Sequence, residues 1–451
     1  RGERRRRPGG RVLTAIAADN PEVEDARARE IPVISRAEML AELMRMKYGV
    51  AVGGSHGKTT TTSMVAAVLA RGGLDPTIVV GGRLRALGLN AKLGHGQFLV
   101  AEADESDGSF LRLNPALTVI TNIDREHMDH YRDLDELRQA FVYFANRVPF
   151  YGVSVLCVDD AEVRAILPRV TKRHVRYGTL AEAEVRAHDI RLEPMGSRFA
   201  VDAFGAPAGE IELRVPGRHN VLNALAAVTV ALEVEVGFGH IAEALASFGG
   251  VARRFELRGE EAGVRVIDDY GHHPTEILAT LAAAKNSGGR ALVIFQPHRY
   301  SRTAALTREF GAAFGDAARV WVLDIYAAGE KPIAGLSATA VVDAAKAAGA
   351  RHVEYAPDPL AAATAAAREA RPGDLVLALG AGDVGRLCDE VLKALKSARW
   401  PRSVNDDAEL PRTRPRALGA APPQWAPRPS RARARAGGPA HAARARAVGR
   451  A

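Results

Sequence analysis

Residues 50–69 read V-A-V-G-G-S-H-G-K-T-T-T-T-S-M-V-A-A-V-L, an apolar run, a glycine turn and a lysine followed by four threonines. Glycines let backbone N–H groups approach phosphate oxygens, a helix N-terminus adds partial positive charge, and a lysine adds a full one. Gly54, Ser55, His56, Gly57, Lys58, Thr59 and Thr60 therefore form a candidate nucleotide-phosphate cradle, with the Thr59 hydroxyl available to Mg²⁺. A strict phosphate loop asks for glycine where Val52 stands, so the same residues also suit a plain turn before a core helix.

Carboxylates and histidines recur after apolar runs. F-L-V-A-E-A-D-E-S-D ends in acids, and T-N-I-D-R-E-H-M-D-H-Y follows a second run. Glu102 and His127 are the candidate metal ligands beside Thr59, because Mg²⁺ takes hard oxygen ligands and few of them from protein. Read alone, His127 also suits a hydrogen-bonding surface histidine; Asp104, Glu105 and Asp107 crowd the same loop, which favours a cation but equally suits a solvated acidic turn. D-D-Y-G-H-H-P clusters Asp268, Asp269, His272 and His273 without a common zinc spacing, which favours polar recognition of a small substrate. Arg299 and Arg302, three apart at a helix start, suit a carboxylate or a phosphate, since guanidinium binds either bidentately; a solvated helix entrance is the plain alternative.

The elements that would position these residues alternate. Residues 48–52 predict a strand and Lys58 onward a helix that Gly72 and Gly73 stop. Further strands are expected over 97–102, 117–123 and 153–158, and a long helix from His219 to Val234. Residues 252–396 repeat the rhythm, with strands over 264–267, 291–295, 320–325 and 375–379 and helices after Pro274, Arg302 and Ser337. Polar clusters directly after apolar strands fit open parallel sheets, which bind ligands at strand carboxyl ends. G-A-G-D-V-G at 380–385 follows a strand but lacks the later strand and acid of a dinucleotide site, and reads as the tight turn of a last strand–helix unit. Residues 11–50 resemble the end of a domain.

The 451 residues allow two or three domains, and 47% hydrophobic content supports ordinary cores. No run of 18 apolar residues is present, and the Arg-rich amino terminus lacks the apolar core of a secretory leader. The net charge of +8 is misleading: residues 401–451 carry eleven arginines against three acids and residues 1–7 five against one, leaving the body at −4. The basic balance therefore says nothing about the partner of the folded part. Residues 399–451, an Ala/Arg/Pro repetition, are expected to be disordered. Cys157 and Cys388 lie far apart with no metal spacing and read as buried thiols in a reducing compartment.

The segments G-S-H-G-K-T-T-T-T, E-A-D-E-S-D, T-N-I-D-R-E-H-M-D, G-R-H-N-V-L-N-A, R-R-F-E, D-D-Y-G-H-H-P-T-E-I and Q-P-H-R-Y-S-R-T, in that order, resemble the Mur ligases from about Val12 to Leu395. The resemblance implies an α/β chain: a remnant of a Rossmann-like UDP-sugar-binding domain (1–48), a central P-loop ATPase-like domain with a parallel sheet (49–251), and a Rossmann-like amino-acid-binding domain (252–398). Its implied reaction is ATP-dependent, with Mg²⁺: L-alanine joins the lactyl carboxylate of UDP-N-acetylmuramate through an acyl phosphate, a step of peptidoglycan synthesis and so of cell shape and division. By match, Lys58 would hold the β/γ-phosphates, Thr59 and Glu102 one Mg²⁺, and His127 a second. Asn220, Asn223 and Arg254 would contact ATP, and Asp269 its ribose. Tyr270, His272, Arg299 and Arg302 would surround L-alanine. The expected protein is a cytoplasmic monomer or weak homodimer acting on small molecules, with no nucleic-acid or membrane partner.

Overall fold

A computed structural model describes residues 10–12, 19–81, 90–128, 130–286 and 288–397. The tail expected to be disordered, 399–451, lies outside the described residues.

The chain enters through a two-stranded parallel pair, Gly10–Val12 with Val33–Ser35. Asn20 caps the helix Pro21–Ala28 by accepting from Glu22 N at 2.9 Å, and Ser35 and Glu38 close a reciprocal capping box on the helix Arg36–Arg45. Met44 of that helix is fully buried against Gly49, where a Cβ would stand 2.3 Å from Met44 Cγ. Glycine at 49 thus lets the entry helix dock on the first strand of the main sheet.

That sheet has ten strands. Tyr48–Gly53 is flanked by Phe98–Glu102 and Leu117–Ile120, all parallel, and Val153–Cys157 and His174–Gly178 continue in the same sense. The central strands are mostly apolar because both faces are covered, and the last of them, His174–Gly178, keeps His174 and Arg176 half-buried. The helices Lys58–Arg71 and Arg218–Glu233 pack on one face, and Leu134–Ala145 with the entry helix on the other. Beyond His174–Gly178 the simple alternation fails. Val185–Glu193, Gly196–Ala203 and Ala206–Leu213 form an antiparallel extension, where strand–helix alternation was expected. Phe204 and Gly205, both at positive φ, make one of its turns, and the mixed burial along its first strand marks a sheet partly open to solvent.

A second sheet has six strands, in the order Glu256–Glu261, Val264–Asp269, Leu375–Leu379, Ala291–Phe295, Arg319–Val322, Val353–Tyr355. The first is antiparallel and the rest parallel. The expected strand over 320–325 stops at Val322. Arg302 lies within the helix Tyr300–Ala305 and not before it, because Arg299 at φ +70 turns the chain and caps that helix. The 380–385 motif is the tight turn expected: a Cβ on Gly385 would meet Asp268 Oδ2 at 2.4 Å, and the helix Leu387–Ser397 follows. Cys157 and Cys388 are both buried, and burial pushes each thiol up to about 12. Among the described residues no helix is long and apolar enough to cross a membrane.

The two sheets join through residues 251–255, where Arg253 and Phe255 hold φ of +58 and +49. Positive φ at an arginine and a phenylalanine persists only where surroundings enforce it. Asp269 does so here: Oδ2 accepts from Phe255 N at 2.7 Å, and Oδ1 from Gly271 N at 2.8 Å and Thr280 Oγ1 at 3.1 Å.

Candidate active site at the sheet junction

Strand Tyr48–Gly53 ends in the glycine turn, and the turn is shaped by close approach. A Cβ on Gly54 (φ +127) would stand 2.0 Å from Thr121 Oγ1, and one on Gly57 (φ +82) 2.6 Å from Asn223 Oδ1. Gly57 is also the N-cap of the helix Lys58–Arg71, and no side chain caps that end. The first-turn N–H groups are therefore left to an anion. Ser55 braces the turn: its hydroxyl donates to Asp124 O at 3.3 Å and accepts from Asp124 N at 2.8 Å. Thr60 is buried beside the turn, and Thr59 is half-buried.

Lys58 folds back over its own loop. Nζ donates to Gly54 O at 2.7 Å, Ser55 O at 3.1 Å and both Glu105 carboxylate oxygens, at 2.9 and 2.8 Å. Burial pushes Glu105 up to about 7 against the pull of Lys58. Burial would lower Lys58, but the charges of Glu105, Asp104 and Glu126 outweigh it and raise it. The lysine thus ties the Glu105 carboxylate to the glycine turn.

The expected metal ligands separate into two places. Glu102 accepts from Gly81 N at 2.5 Å through Oε2, and its Oε1 is buried without a hydrogen-bond partner. An orphaned carboxylate oxygen at a strand end is a hard donor of the kind Mg²⁺ takes. His127, at φ +58, instead meets Glu105 at 3.7 Å and Glu126 at 3.9 Å, and donor atoms of these three lie within 4.8 Å of one another. Burial lowers the His127 pKa, so its ring nitrogen is available as a ligand.

His56 ties the phosphate loop to the second sheet. Nε2 meets Asp124 Oδ2 at 2.9 Å, and Nδ1 lies 3.6 Å from Glu276 Oε1. Burial would lower His56, yet the contacts with Asp124 and Glu276 and the charge of Glu126 raise it to about 10. Glu276 also accepts from His272 N and His273 N and pairs with Arg254 at 3.3 Å. Thr275 Oγ1 donates to Asp124 at 2.5 Å. Under this bridge lies a cavity of about 400 Å³ lined by Thr60, His219, Asn220, Asn223, Arg254 and Asp269, among others. Asn220 and Asn223 are locked to each other at 3.0 Å, and Thr61 donates to Asn223 Oδ1 at 3.1 Å. Asp269 lines the cavity, and its oxygens also accept from Phe255 N, Gly271 N and Thr280 Oγ1, which holds the 251–255 junction.

A smaller cavity, about 310 Å³, opens between the sheets and is lined by Glu126, His127, Met128, Arg299, Arg302 and Leu306, among others. Arg302 reaches Glu126 Oε1 at 3.3 Å and His298 Nδ1 at 3.2 Å. His272 stands 3.8 Å from the same Glu126. Tyr270 stands behind it, edge-on to His272, with the Arg253 and Arg254 guanidinium groups each 5.0 Å from its ring centre. Tyr270 does not line the smaller cavity.

Sequence reasoning named the loop, the arginines and His273 but missed Asp124, Glu126 and Glu276 as site residues, and left Glu105 open between a cation site and a solvated acidic turn. The signal was present in D-R-E-H, with two acids before His127, and in H-H-P-T-E, where glutamate at the third helical position completes a capping box.

Comparison with known proteins agrees with this layout. Residues 52–231 match the Mur ligase middle domain, 253–382 the Mur ligase glutamate ligase domain, and 10–48 the Mur ligase family catalytic domain. The chain is 54% identical over 390 residues to a UDP-N-acetylmuramate–L-alanine ligase of Geobacter sp. (strain M21), covering 86% of this chain and 85% of that protein. It is 53% identical over 387 residues to the protein of the same name in Myxococcus xanthus, covering 86% and 82%. The solved structure of UDP-N-acetylmuramate–alanine ligase from Thermotoga maritima superimposes with a TM-score of 0.72 at 28% identity, covering 86% of this chain and 85% of that one. With more than half its length shared at such identity, and with the phosphate loop facing the arginine turn across one junction, the chain belongs to the Mur ligase family, among the UDP-N-acetylmuramate–L-alanine ligases.

Proposed function

We propose that this chain joins L-alanine to the lactyl carboxylate of UDP-N-acetylmuramate with hydrolysis of ATP to ADP and phosphate, in peptidoglycan precursor synthesis in the cytoplasm. The observation that carries the reading is the junction itself. An uncapped helix N-terminus with Lys58 lies on one side and the guanidinium groups of Arg299 and Arg302 on the other, with Glu126 between them. A carboxylate is a poor acylating agent at neutral pH, and phosphorylation supplies its leaving group. The protein's task is then to position reactants and neutralise charge.

The residues divide that task. The loop from Gly54 to Thr60 receives the triphosphate, with Lys58 leaving Glu105 for phosphate oxygens. The cavity at Asn220, Asn223 and Arg254 takes the nucleoside, while Asp269 keeps the junction in place. Thr59 and Glu102, and separately His127, would hold Mg²⁺, which supplies charge neutralisation on the phosphates. Arg299 and Arg302 take the amino-acid carboxylate, with His272 beside them and Tyr270 supporting from behind. A related ligase of Thermotoga maritima that shares the fold was solved with ADP.

Phosphate release from ATP and Mg²⁺ tests the reading. Release that needs both UDP-N-acetylmuramate and L-alanine is expected. Release independent of the UDP-sugar contradicts it.

A further inference from the structure

The smaller cavity has a charge pattern that its arginines alone do not explain. Its polar lining carries three guanidinium groups, Arg125, Arg299 and Arg302, and Glu126 is the acid among its described lining residues. Glu126 is 7% exposed. A carboxylate so far from water needs close donors. It has one within hydrogen-bond range, Arg302 Nη2 at 3.3 Å. The other cation-capable groups stand back: His272 Nε2 at 3.8 Å, His127 Nε2 at 3.9 Å and His56 Nδ1 at 3.9 Å. The carboxylate is thus ringed by groups just beyond direct bonding and faces a cavity that already offers guanidinium.

We propose that Glu126 receives the α-ammonium group of the incoming amino acid, beside the Arg302 guanidinium that it meets and that, with Arg299, takes the carboxylate. The proposal rests on the ligase reading and names the group that reads the amine. A zwitterion presents three N–H donors at one end and two acceptor oxygens at the other, and a small site that supplies both counter-charges selects it over a hydroxy acid or a simple amine. Met128, Ala305 and Leu306 add the apolar wall for a short side chain. Because His127 and His56 of the phosphate-loop side also face Glu126, the amine is held at the junction where the activated carboxylate must arrive.

The test compares two nucleophiles on the full chain with ATP, Mg²⁺ and UDP-N-acetylmuramate. L-alanine needs the anchor. Hydroxylamine is largely neutral near pH 7 and carries no carboxylate. It attacks the acyl phosphate directly: the C–N bond forms, the C–O bond to phosphate breaks, and a proton goes to solvent. Glu126→Gln is expected to lower kcat/KM for L-alanine at least 30-fold more than it lowers hydroxamate formation, chiefly through the L-alanine KM. Glu126→Asp, which keeps the charge, shows the same split in smaller measure and stands in if the amide variant does not fold. Equal losses with both nucleophiles overturn the proposal, as does an unchanged L-alanine KM. A shift in half-saturating Mg²⁺ by the same factor makes Glu126 a metal ligand and also overturns it. Wild-type protein that forms no hydroxamate refutes the ligase reading itself, a result distinct from any behaviour of the variants.

Discussion

Lys58→Met separates what the lysine does for the fold from what it does for phosphate. Lys58 is bound to both oxygens of Glu105, whose side chain is 1% exposed. Replacing the ammonium by a thioether of similar length leaves that carboxylate buried and unpaired, which costs about 3–5 kcal/mol. The cost depends on pH in a fixed direction. Burial already raises Glu105 to about 7 from 4.5, and without Lys58 it rises further. A carboxyl whose folded pKa lies above its unfolded one stabilises the fold below the unfolded value. That stability is lost, at about 1.4 kcal/mol per unit, as pH rises toward the folded pKa. The variant is therefore expected to be near wild type in urea denaturation at pH 4.5–5, to diverge only above pH 7, and to lag by about 1.4 kcal/mol at pH 8, with the full amount reached only at higher pH. Adding Glu105→Gln to Lys58→Met removes the trapped charge and restores stability at pH 8. Turnover stays down by about 10²–10³-fold or more in both, since the charge on the phosphates is still missing. A stability deficit equal at both pH values, or one that Glu105→Gln does not relieve, refutes the buried-pair reasoning. Recovery of turnover in the double variant refutes the phosphate role.

Three further outcomes follow from particular contacts. Arg302→Ala removes the guanidinium that meets Glu126 and is expected to raise the L-alanine KM about 30-fold, at about 2 kcal/mol for a charge-assisted contact, with a smaller change in the ATP KM; equal effects on both count against the amino-acid role. Gly57→Ala places a Cβ 2.6 Å from Asn223 Oδ1 at φ +82, so a loss of about 1–3 kcal/mol in stability together with weaker ATP binding is expected from thermal unfolding and titration; a neutral result means the turn relaxes freely. Asp269→Asn removes an acceptor from Phe255 N or Gly271 N and is expected to destabilise the protein by about 1–3 kcal/mol in denaturant; a raised ATP KM with unchanged stability returns Asp269 to the ribose.

The sequence reading succeeded where one segment carries the whole signal. The glycine turn at Gly54–Gly57, the parallel strands of both sheets and the closing strand–helix turn at Gly380 depend on local apolar runs and glycines, and each is in place. It failed where partners come from afar. Glu126 gains meaning from Arg302 and His272, more than 140 residues later, and Glu276 from His56, 220 residues earlier. Asp269, which the family match assigns to the ribose, also serves two backbone N–H groups whose positions only the fold defines. The antiparallel strands over 185–213 were missed because their charged and apolar residues alternate with irregular burial, and a strand open on one face carries a weaker period than one buried on both.

The account stands on transfer of the γ-phosphoryl group to the lactyl carboxylate before the amine attacks. UDP-N-acetylmuramate labelled with ¹⁸O in that carboxylate, incubated with ATP, Mg²⁺ and L-alanine, reports it directly. The account predicts one labelled oxygen in each phosphate released, together with a product heavier than the UDP-sugar by an alanine residue. Phosphate free of label, formed alongside the same product, contradicts it.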